Sequence, residues 1–363
     1  MVRSVAVVGG GVVGLILAKE LSKAGIDVTV YEARKEIGEG SERASGILSI
    51  SGLDSMGIDY RDSVLNRLDG AVLFAGRQRL GIKAKEAKAY VLDRPKLAKA
   101  CAREAEEAGA KIELGRKLGR EQLAQLEHEV IVGADGAVSN VASAFEFPKI
   151  NEYILTYKAE YENARITDLH SAELFFSTDS SRRFFAWDVP YSERVMEVGL
   201  GESMHSGRNS YAAFTSFVSG QYMSERLHGA RRISGRASLI PLETRKRTVK
   251  GNVMLVGDAA GQVKATTGGG LVFGAMCAKT ASYVISNHIK RGMPLSAYER
   301  LWRKRYGLDL AMHRAIHNYY SSLSSRSFEL VFKLSRLFGV EDFLGKYGDM
   351  DRPSAMMKRL IFR

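Results

Sequence analysis

The run Val5-Ala6-Val7-Val8-Gly9-Gly10-Gly11-Val12-Val13-Gly14 decides how the rest of the chain is read. An apolar strand leads into Gly9-x-Gly11-x-x-Gly14, and helical spacing follows with Leu17, Ala18 and Leu21 on one face. Gly25 closes that helix, and a second apolar run, Val28-Thr29-Val30-Tyr31, ends at Glu32. Strand, glycine turn, helix, strand and acid follow in the order of a dinucleotide-binding βαβ unit. The first glycine makes the tight turn, the second lets backbone approach a pyrophosphate, and the third lets helix pack on strand. The helix N-terminus offers free N–H groups and partial positive charge to phosphates, and Glu32 stands where a carboxylate accepts from a ribose diol. Taken alone, this turn fits NAD as well as FAD.

Two later strands end in the same way. Val130-Ile131-Val132-Gly133-Ala134-Asp135-Gly136 is a buried strand closing in a glycine–acid turn, and ligands of α/β sheets collect at such carboxyl ends. Asn252-Val253-Met254-Leu255-Val256-Gly257-Asp258-Ala259-Ala260-Gly261 is the third, followed by Thr266-Thr267-Gly268-Gly269-Gly270 opening a long helix to about His288. Those glycines again set bare amides at a helix start. Asp258 suits hydroxyls rather than phosphate, because two anions at contact distance repel. Between the turns, Ala33–Arg43 reads as a loop over the ligand, and Tyr90-Val91-Leu92 leads through a capping Asp93 and Pro95 into a helix ending at Gly109. Asp69–Phe74 and Leu80–Lys83 read as strands around Gly76, and Tyr153–Gly201 as an antiparallel sheet containing the aromatic cluster Phe184-Phe185-Ala186-Trp187-Asp188-Val189-Pro190. Ser210–Leu227 reads as one helix, Gly235–Pro241 as a returning strand, and the chain after Pro294 as helical.

The fold class expected is therefore α/β: a Rossmann-like dinucleotide-binding domain, which the resemblance set out below makes FAD-binding, a second antiparallel-sheet (α+β) substrate domain, and a C-terminal helical region. The first comprises residues 1–68, 90–150 and 242–290, the second 69–89 and 151–241, and the third 291–363. Composition is that of an ordinary globular protein, 45% hydrophobic and 26% charged. No apolar run reaches the ~18–20 residues that span a bilayer, and the chain enters its first strand too early for a signal peptide. Cys101 and Cys277 carry no CxxC or metal spacing and read as buried packing in a reducing cytoplasm. His313 and His317 lie four apart on a helix without the acid or third ligand of a metal site, so no metal is expected. The net charge of +12 is uneven: from Lys290 onward 15 basic residues face 7 acidic ones. No nucleic-acid-binding motif accompanies that excess, which suits a solvated basic face, an anionic lipid surface or a phosphorylated substrate.

The three glycine–acid turns, in this order, resemble the FAD-dependent reductases and hydroxylases with the glutathione-reductase-type flavin domain. The resemblance places Gly9, Gly11, Gly14 and Glu32 at the ADP half, with Val12, Val13 and Ala33 beside them. It places Asp135 and Gly136 near the flavin, Arg94 and the loop residues Arg43 and Ala44 facing the cofactor, and Asp258 on ribitol. Gly268, Gly269, Gly270 and Leu271 fall beside the isoalloxazine. Within that superfamily the chain is similar to geranylgeranyl reductases, on three stretches: Gly257–Lys264 with Thr266–Gly270, Phe185-Ala186-Trp187-Asp188-Val189-Pro190, and Gly348-Asp349-Met350-Asp351-Arg352-Pro353-Ser354. It departs at Arg43-Ala44-Ser45-Gly46, where many of these reductases have Arg-Cys-x-Gly, and at Ala265, where a proline is frequent. It is also short for the family after residue 290.

The resemblance implies reduction of isolated C=C bonds in a prenyl chain, hydride coming from reduced FAD and a proton from elsewhere. An unactivated alkene gives the protein no carbonyl to polarise, so orientation and exclusion of water are its contribution. Phe185, Trp187 and Val189 are the expected cavity wall. No catalytic residue is assigned; Ser45 is the polar group nearest the missing cysteine. Without a separate nicotinamide-binding unit, the reductant is a transiently bound NAD(P)H, a deazaflavin or a ferredoxin acting as electron-donor protein. The expected partners are a prenylated lipid or prenyl diphosphate and an anionic membrane surface, not nucleic acid. The expected location is cytoplasmic, peripheral on the inner face of the cell membrane. A flavin monooxygenase on an aromatic or terpenoid substrate, and a flavin- or lipid-binding protein without turnover, are the competing readings.

Overall fold

The computed structural model describes residues 4–177 and 181–361. Residues 1–3, 178–180 and 362–363, which fall within the three segments expected from sequence, lie outside the described residues. Numbering elements in chain order, the first layer is a six-stranded sheet in the order Val249–Lys250 (β16), Val253–Leu255 (β17), Val130–Gly133 (β9), Ser4–Val8 (β1), Asp27–Tyr31 (β2) and Lys111–Glu113 (β8). All neighbours run parallel except β16, which pairs antiparallel with β17. The central strands β1, β9 and β17 are buried and mostly apolar because helices cover both faces, while β2 alternates buried valines with more exposed residues. Val12–Lys23 (α1), Arg94–Glu107 (α3) and Leu271–Arg291 (α8) cover one face, burying Leu15, Leu17, Leu97, Ala278 and Ile285 against β1, β2 and β9. Arg120–Ala124 (α4) and Asn140–Ala144 (α5) cover the other with Leu123, Val141 and Phe147.

The second layer is an eight-stranded sheet. Its main path is Arg231–Arg232 (β14), Tyr153–Glu162 (β10), Val195–Ser203 (β13), Ala186–Pro190 (β12), Ser171–Phe175 (β11), Gly70–Ala75 (β5) and Gln78–Lys83 (β6), with Arg236–Pro241 (β15) also on β10. The pairings are antiparallel except β11 with β5, which are parallel. This sheet contains the alternating segments of Tyr153–Gly201 together with the Gly70–Lys83 hairpin.

Three features differ from the sequence reading. Tyr90–Leu92 belongs to no large sheet: Ala89–Leu92 (β7) is the centre of a small antiparallel sheet between Ile47–Ser49 (β3) and Val64–Leu68 (β4). A short helix, Ile50–Met56 (α2), follows β3, capped by the Ser49 hydroxyl; its length and its Gly52 leave no helical period to read. Ser210–Leu227 is two helices, Ser210–Ser219 (α6) and Gln221–Arg226 (α7), because Gly220 between them is extended at φ −64°, ψ 149°. The C-terminal helices are Ala297–Ser321 (α9), Ser325–Leu337 (α10), Val340–Tyr347 (α11) and Pro353–Ile361 (α12). Among the described residues no helix is long and apolar enough to cross a membrane. Both cysteines are buried and free.

Candidate functional site

The first glycine turn is built by contact as much as by conformation. Gly9 takes φ +113°, and a Cβ there would fall on the Ala134 carbonyl at the end of β9. A Cβ on Gly14 would fall on the Gly9 carbonyl, so the helix could not approach the strand. Gly11 has nothing within 4 Å of its would-be Cβ and lies open at the surface. It also precedes α1 without any side-chain cap, which leaves the first amides of that helix free. Glu32 is buried at the end of β2 and accepts from Gly10 N at 2.6 Å and Arg34 N at 2.8 Å, holding its carboxylate against the turn. Val12 is buried in the core, Val13 is half-buried, and Ala33 is exposed.

At the second turn Gly136 takes φ +82° and the backbone of Asp135 packs beside Gly9. The Asp135 carboxylate turns toward α5, accepting from Ser139 Oγ at 2.6 Å and Val141 N at 3.0 Å. Burial raises its pKa, with those hydrogen bonds working against the rise. It caps a helix beside the glycine turn, while Asp258 holds the third turn.

At that third turn, Gly257 (φ +64°) and Gly274 both pack on Val13, a Cβ at 274 lying 2.8 Å from a Val13 methyl. This brings the start of α8 alongside the start of α1, so two helix N-termini without side-chain caps lie side by side. A Cβ on Gly270 would fall on Asp258 Oδ1, so the carboxylate sits directly under the α8 start. Leu271 is buried as its first residue. Burial raises the Asp258 pKa, opposed only by the charge of Arg94; burial likewise lowers the Arg94 pKa, opposed first by Asp258. The pair sense each other without a hydrogen bond between them, and Arg94 Nε is sealed from solvent with no partner. A sealed guanidinium nitrogen without a partner, beside a carboxylate that acts on it through charge alone, marks the place of a polar ligand. Hydroxyls and a pyrophosphate match them, and the arrangement fits an FAD.

Beneath Gly268–Gly270 lies a buried charge pair. Lys264 Nζ and Asp351 Oδ1 are 2.7 Å apart, and a Cβ at Gly269 would press on Lys264 Cε. Ser49 also donates to Asp351. His313 Nδ1 lies 2.7 Å from Thr266 Oγ1 and its Nε2 3.3 Å from the Asp351 carbonyl, while His317 Nε2 meets the Arg183 carbonyl at 3.0 Å. The segment Gly348–Ser354, noted from sequence, thus underpins the α8 start through Asp351.

The loop at 43–46 closes another side. Arg43 is exposed, and the Ser45 hydroxyl is buried without a partner. The Ala44 carbonyl accepts from Lys158 Nζ at 3.1 Å. Lys158 in turn pairs with Glu197 at 2.5 Å, and Glu197 accepts from Tyr191 Oη at 2.5 Å and Trp187 Nε1 at 2.8 Å. Burial would raise the Glu197 carboxyl, but Lys158, Tyr191 and Trp187 together bring it below its ordinary value. Tyr191 is pushed well up by burial and by Glu197, and Arg94 lies near enough to pull the other way. Sequence reading missed Lys158 and Glu197, since a charged residue in an alternating strand reads as solvent-facing; no local signal marks them. Of the expected cavity wall, Phe185 stacks on Phe184 at 4.3 Å and Trp187 is half-buried 5.9 Å from Phe185. Val189 is fully enclosed among Leu68, Ala89, Val91 and Ala172.

Comparison with known proteins places this geometry. Residues 4–68 match the FAD dependent oxidoreductase family. A digeranylgeranylglycerophospholipid reductase from Methanothrix thermoacetophila is 27% identical, the match covering 88% of each chain. The protein is an FAD-dependent oxidoreductase. A geranylgeranyl diphosphate reductase from Synechocystis is 29% identical, with 85% of this chain and 82% of that one covered. Among solved structures, a geranylgeranyl bacteriochlorophyll reductase-like protein from Thermoplasma acidophilum superposes with a TM-score of 0.82 at 20% identity, covering 98% of this chain and 95% of the other. The α/β architecture with its FAD-binding sheet and C-terminal helices is shared with that protein.

Proposed function

We propose that this FAD-dependent oxidoreductase saturates isolated C=C bonds in the geranylgeranyl, or similar prenyl, chains of membrane lipids or their precursors. The observation that carries the reading is the sealed Arg94 Nε without a partner, with the Asp258 carboxylate under the α8 start; on the substrate side Glu197 accepts from Tyr191 and Trp187. The two relatives named as prenyl reductases support it. We divide the labour among the three chain segments set out above. The Gly9–Gly14 turn and the α1 N-terminus hold the ADP phosphates, and Glu32 accepts from the ribose. Arg94, Arg43 and the Ala44 loop face the cofactor, Asp258 accepts from ribitol hydroxyls, and the amides from Gly268 to Leu271 meet the ring edge. Reduced and bound, FAD supplies the hydride.

The chain's own residues do the rest. Phe185 and Trp187 hold an apolar tail and keep water away, and the Glu197 carboxylate fixes the indole. Ser45, whose hydroxyl is sealed and donates to nothing, holds a proton beside the loop that lacks the cysteine. Electrons arrive from NAD(P)H, a deazaflavin or a ferredoxin. The basic C-terminal region supports work at the anionic cytoplasmic face of a membrane, where such a lipid resides.

The test is anaerobic. Dithionite-reduced protein mixed with a geranylgeranylated lipid is expected to show flavin reoxidation and a mass gain of one H2 per bond reduced. A flavin that stays reduced under the alkene, and reoxidises only with O2 while hydroxylating substrate, overturns the proposal. Turnover that survives Ser45→Ala unchanged removes Ser45 from it.

A further inference from the structure

Helix α10 has two apolar faces, and only one is used by the fold. Phe328 and Phe332 point inward and pack with Ala75, Leu80 and the half-buried Phe176, Tyr320 and Val331. On the opposite side Leu330, Leu334, Leu337 and the following Phe338 are exposed, the last two at 77% and 76%. Leu330, Leu334 and Leu337, spaced four and three, lie on one outward stripe, and the exposed Phe338 follows at the end of the helix. Large apolar side chains this exposed, four together, mark an interaction surface rather than scattered surface residues.

Charge decides what covers the stripe. The helix has one acid, Glu329, and that side chain turns toward the body, accepting from Arg77 N at 3.2 Å in the β5–β6 turn. Arg326, Lys333 and Arg336 stay exposed around the leucines and pair with no carboxylate among the described residues. A second copy docked two-fold on this stripe would set those cations against their own images. An anionic bilayer offers them phosphates and offers the leucines acyl chain, the arrangement of a helix lying in the membrane interface.

We propose that α10 is the membrane-contacting element of this protein, with Leu330, Leu334, Leu337 and Phe338 in an anionic lipid surface. The inference deepens the prenyl-reductase reading and rests on it for one consequence. Phe328 lies 5.5 Å from Phe176, Phe176 lies 5.5 Å from Phe185, and Phe185 lies 5.9 Å from Trp187. A continuous column of packed rings therefore runs from the inner face of α10 to the proposed cavity wall, tying the membrane-contacting helix to the substrate side.

The experiment is sedimentation of the FAD-loaded full chain with phosphatidylcholine vesicles, with and without phosphatidylglycerol. Binding is expected only when phosphatidylglycerol is present and is expected to weaken with salt. Leu337→Ser/Phe338→Ser, and separately Lys333→Glu/Arg336→Glu, are expected to weaken it about tenfold or more. Both sets are exposed, and an unchanged flavin spectrum and melting temperature verify the fold. Wild-type binding that neither pair alters, or a self-association that the Leu337→Ser/Phe338→Ser change abolishes, overturns the proposal. Turnover separates the two readings. If the reductase reading fails, wild type stays inactive even on detergent-dispersed prenyl substrate while vesicle binding persists. If only the membrane reading fails, the Leu337→Ser/Phe338→Ser protein keeps full activity on vesicle-embedded lipid.

Discussion

Lys158 and Glu197 form an ion pair of 2.5 Å inside the antiparallel sheet, their side chains 3% and 0% exposed. One end of the pair holds the Ala44 carbonyl and the other holds the Trp187 indole, so a single buried contact spaces the 43–46 loop from the aromatic wall. Burying two charges is costly unless all their hydrogen-bonding capacity is met, and here Ala44, Tyr191 and Trp187 meet it.

Breaking this pair from one side should therefore be severe. Lys158→Met leaves Glu197 charged and buried, and should cost roughly 3–5 kcal/mol in a urea unfolding series. The double change Lys158→Met/Glu197→Leu should recover most of that loss while still releasing Ala44. A double variant no more stable than the single one contradicts the account.

The glycine turn separates folding from binding. Gly14→Ala places a methyl on the Gly9 carbonyl and should destabilise by roughly 1–3 kcal/mol. Gly11→Ala meets nothing within 4 Å and sits at φ −73°, so stability should move by no more than about 0.5 kcal/mol. On the proposed cofactor placement its methyl would occupy the approach of a pyrophosphate, and FAD affinity by fluorescence titration should fall by about tenfold or more. Equal effects of the two changes on unfolding would refute this division.

Arg94 and Asp258 should matter to FAD rather than to folding. Replacing Arg94 by Met should raise the dissociation constant for FAD by roughly 10–100-fold, the worth of a charge-assisted hydrogen bond. Lys should rescue it poorly, because an ammonium does not reproduce the planar fork of a guanidinium. Asp258→Asn should weaken binding in the same titration. Native affinity in either variant would move the polar end of the cofactor elsewhere.

The pH dependence of stability should carry the mark of His313. Burial first, and then the neighbouring Lys264 charge, lower its pKa to about 4 from the ordinary 6.5. A depressed folded-state pKa means that the unfolded chain takes up the proton first. Stability from the neutral ring is therefore complete above about pH 6.5 and is lost as pH falls toward 4, by up to about 3 kcal/mol. Urea midpoints measured across that window should fall for the wild type and flatten for His313→Asn; parallel slopes would exclude His313 as the cause.

The parallel-sheet core and its three glycine turns were legible in the chain, because both rest on local rules. Apolar strands of four or five residues, glycines at fixed offsets and an acid at a strand end act within a few residues of one another. The small β3–β7–β4 sheet was not legible, since its strands are short and its pairings long-range. Nor was the break at Gly220, where a residue compatible with helix is instead extended.

What the sequence determined by itself was the positions of the three glycine–acid turns: Gly9, Gly11, Gly14, Glu32 and Asp258, the proposed cofactor residues, announce themselves by spacing. What only the tertiary structure decided was which distant groups come together and at what charge. Lys158 reaches Ala44, Asp351 reaches under Gly269, and Glu329 turns inward to leave α10 a basic apolar face. Such contacts bring together residues tens to hundreds of positions apart, and their electrostatics depend on burial, a property of the folded packing that no local pattern encodes.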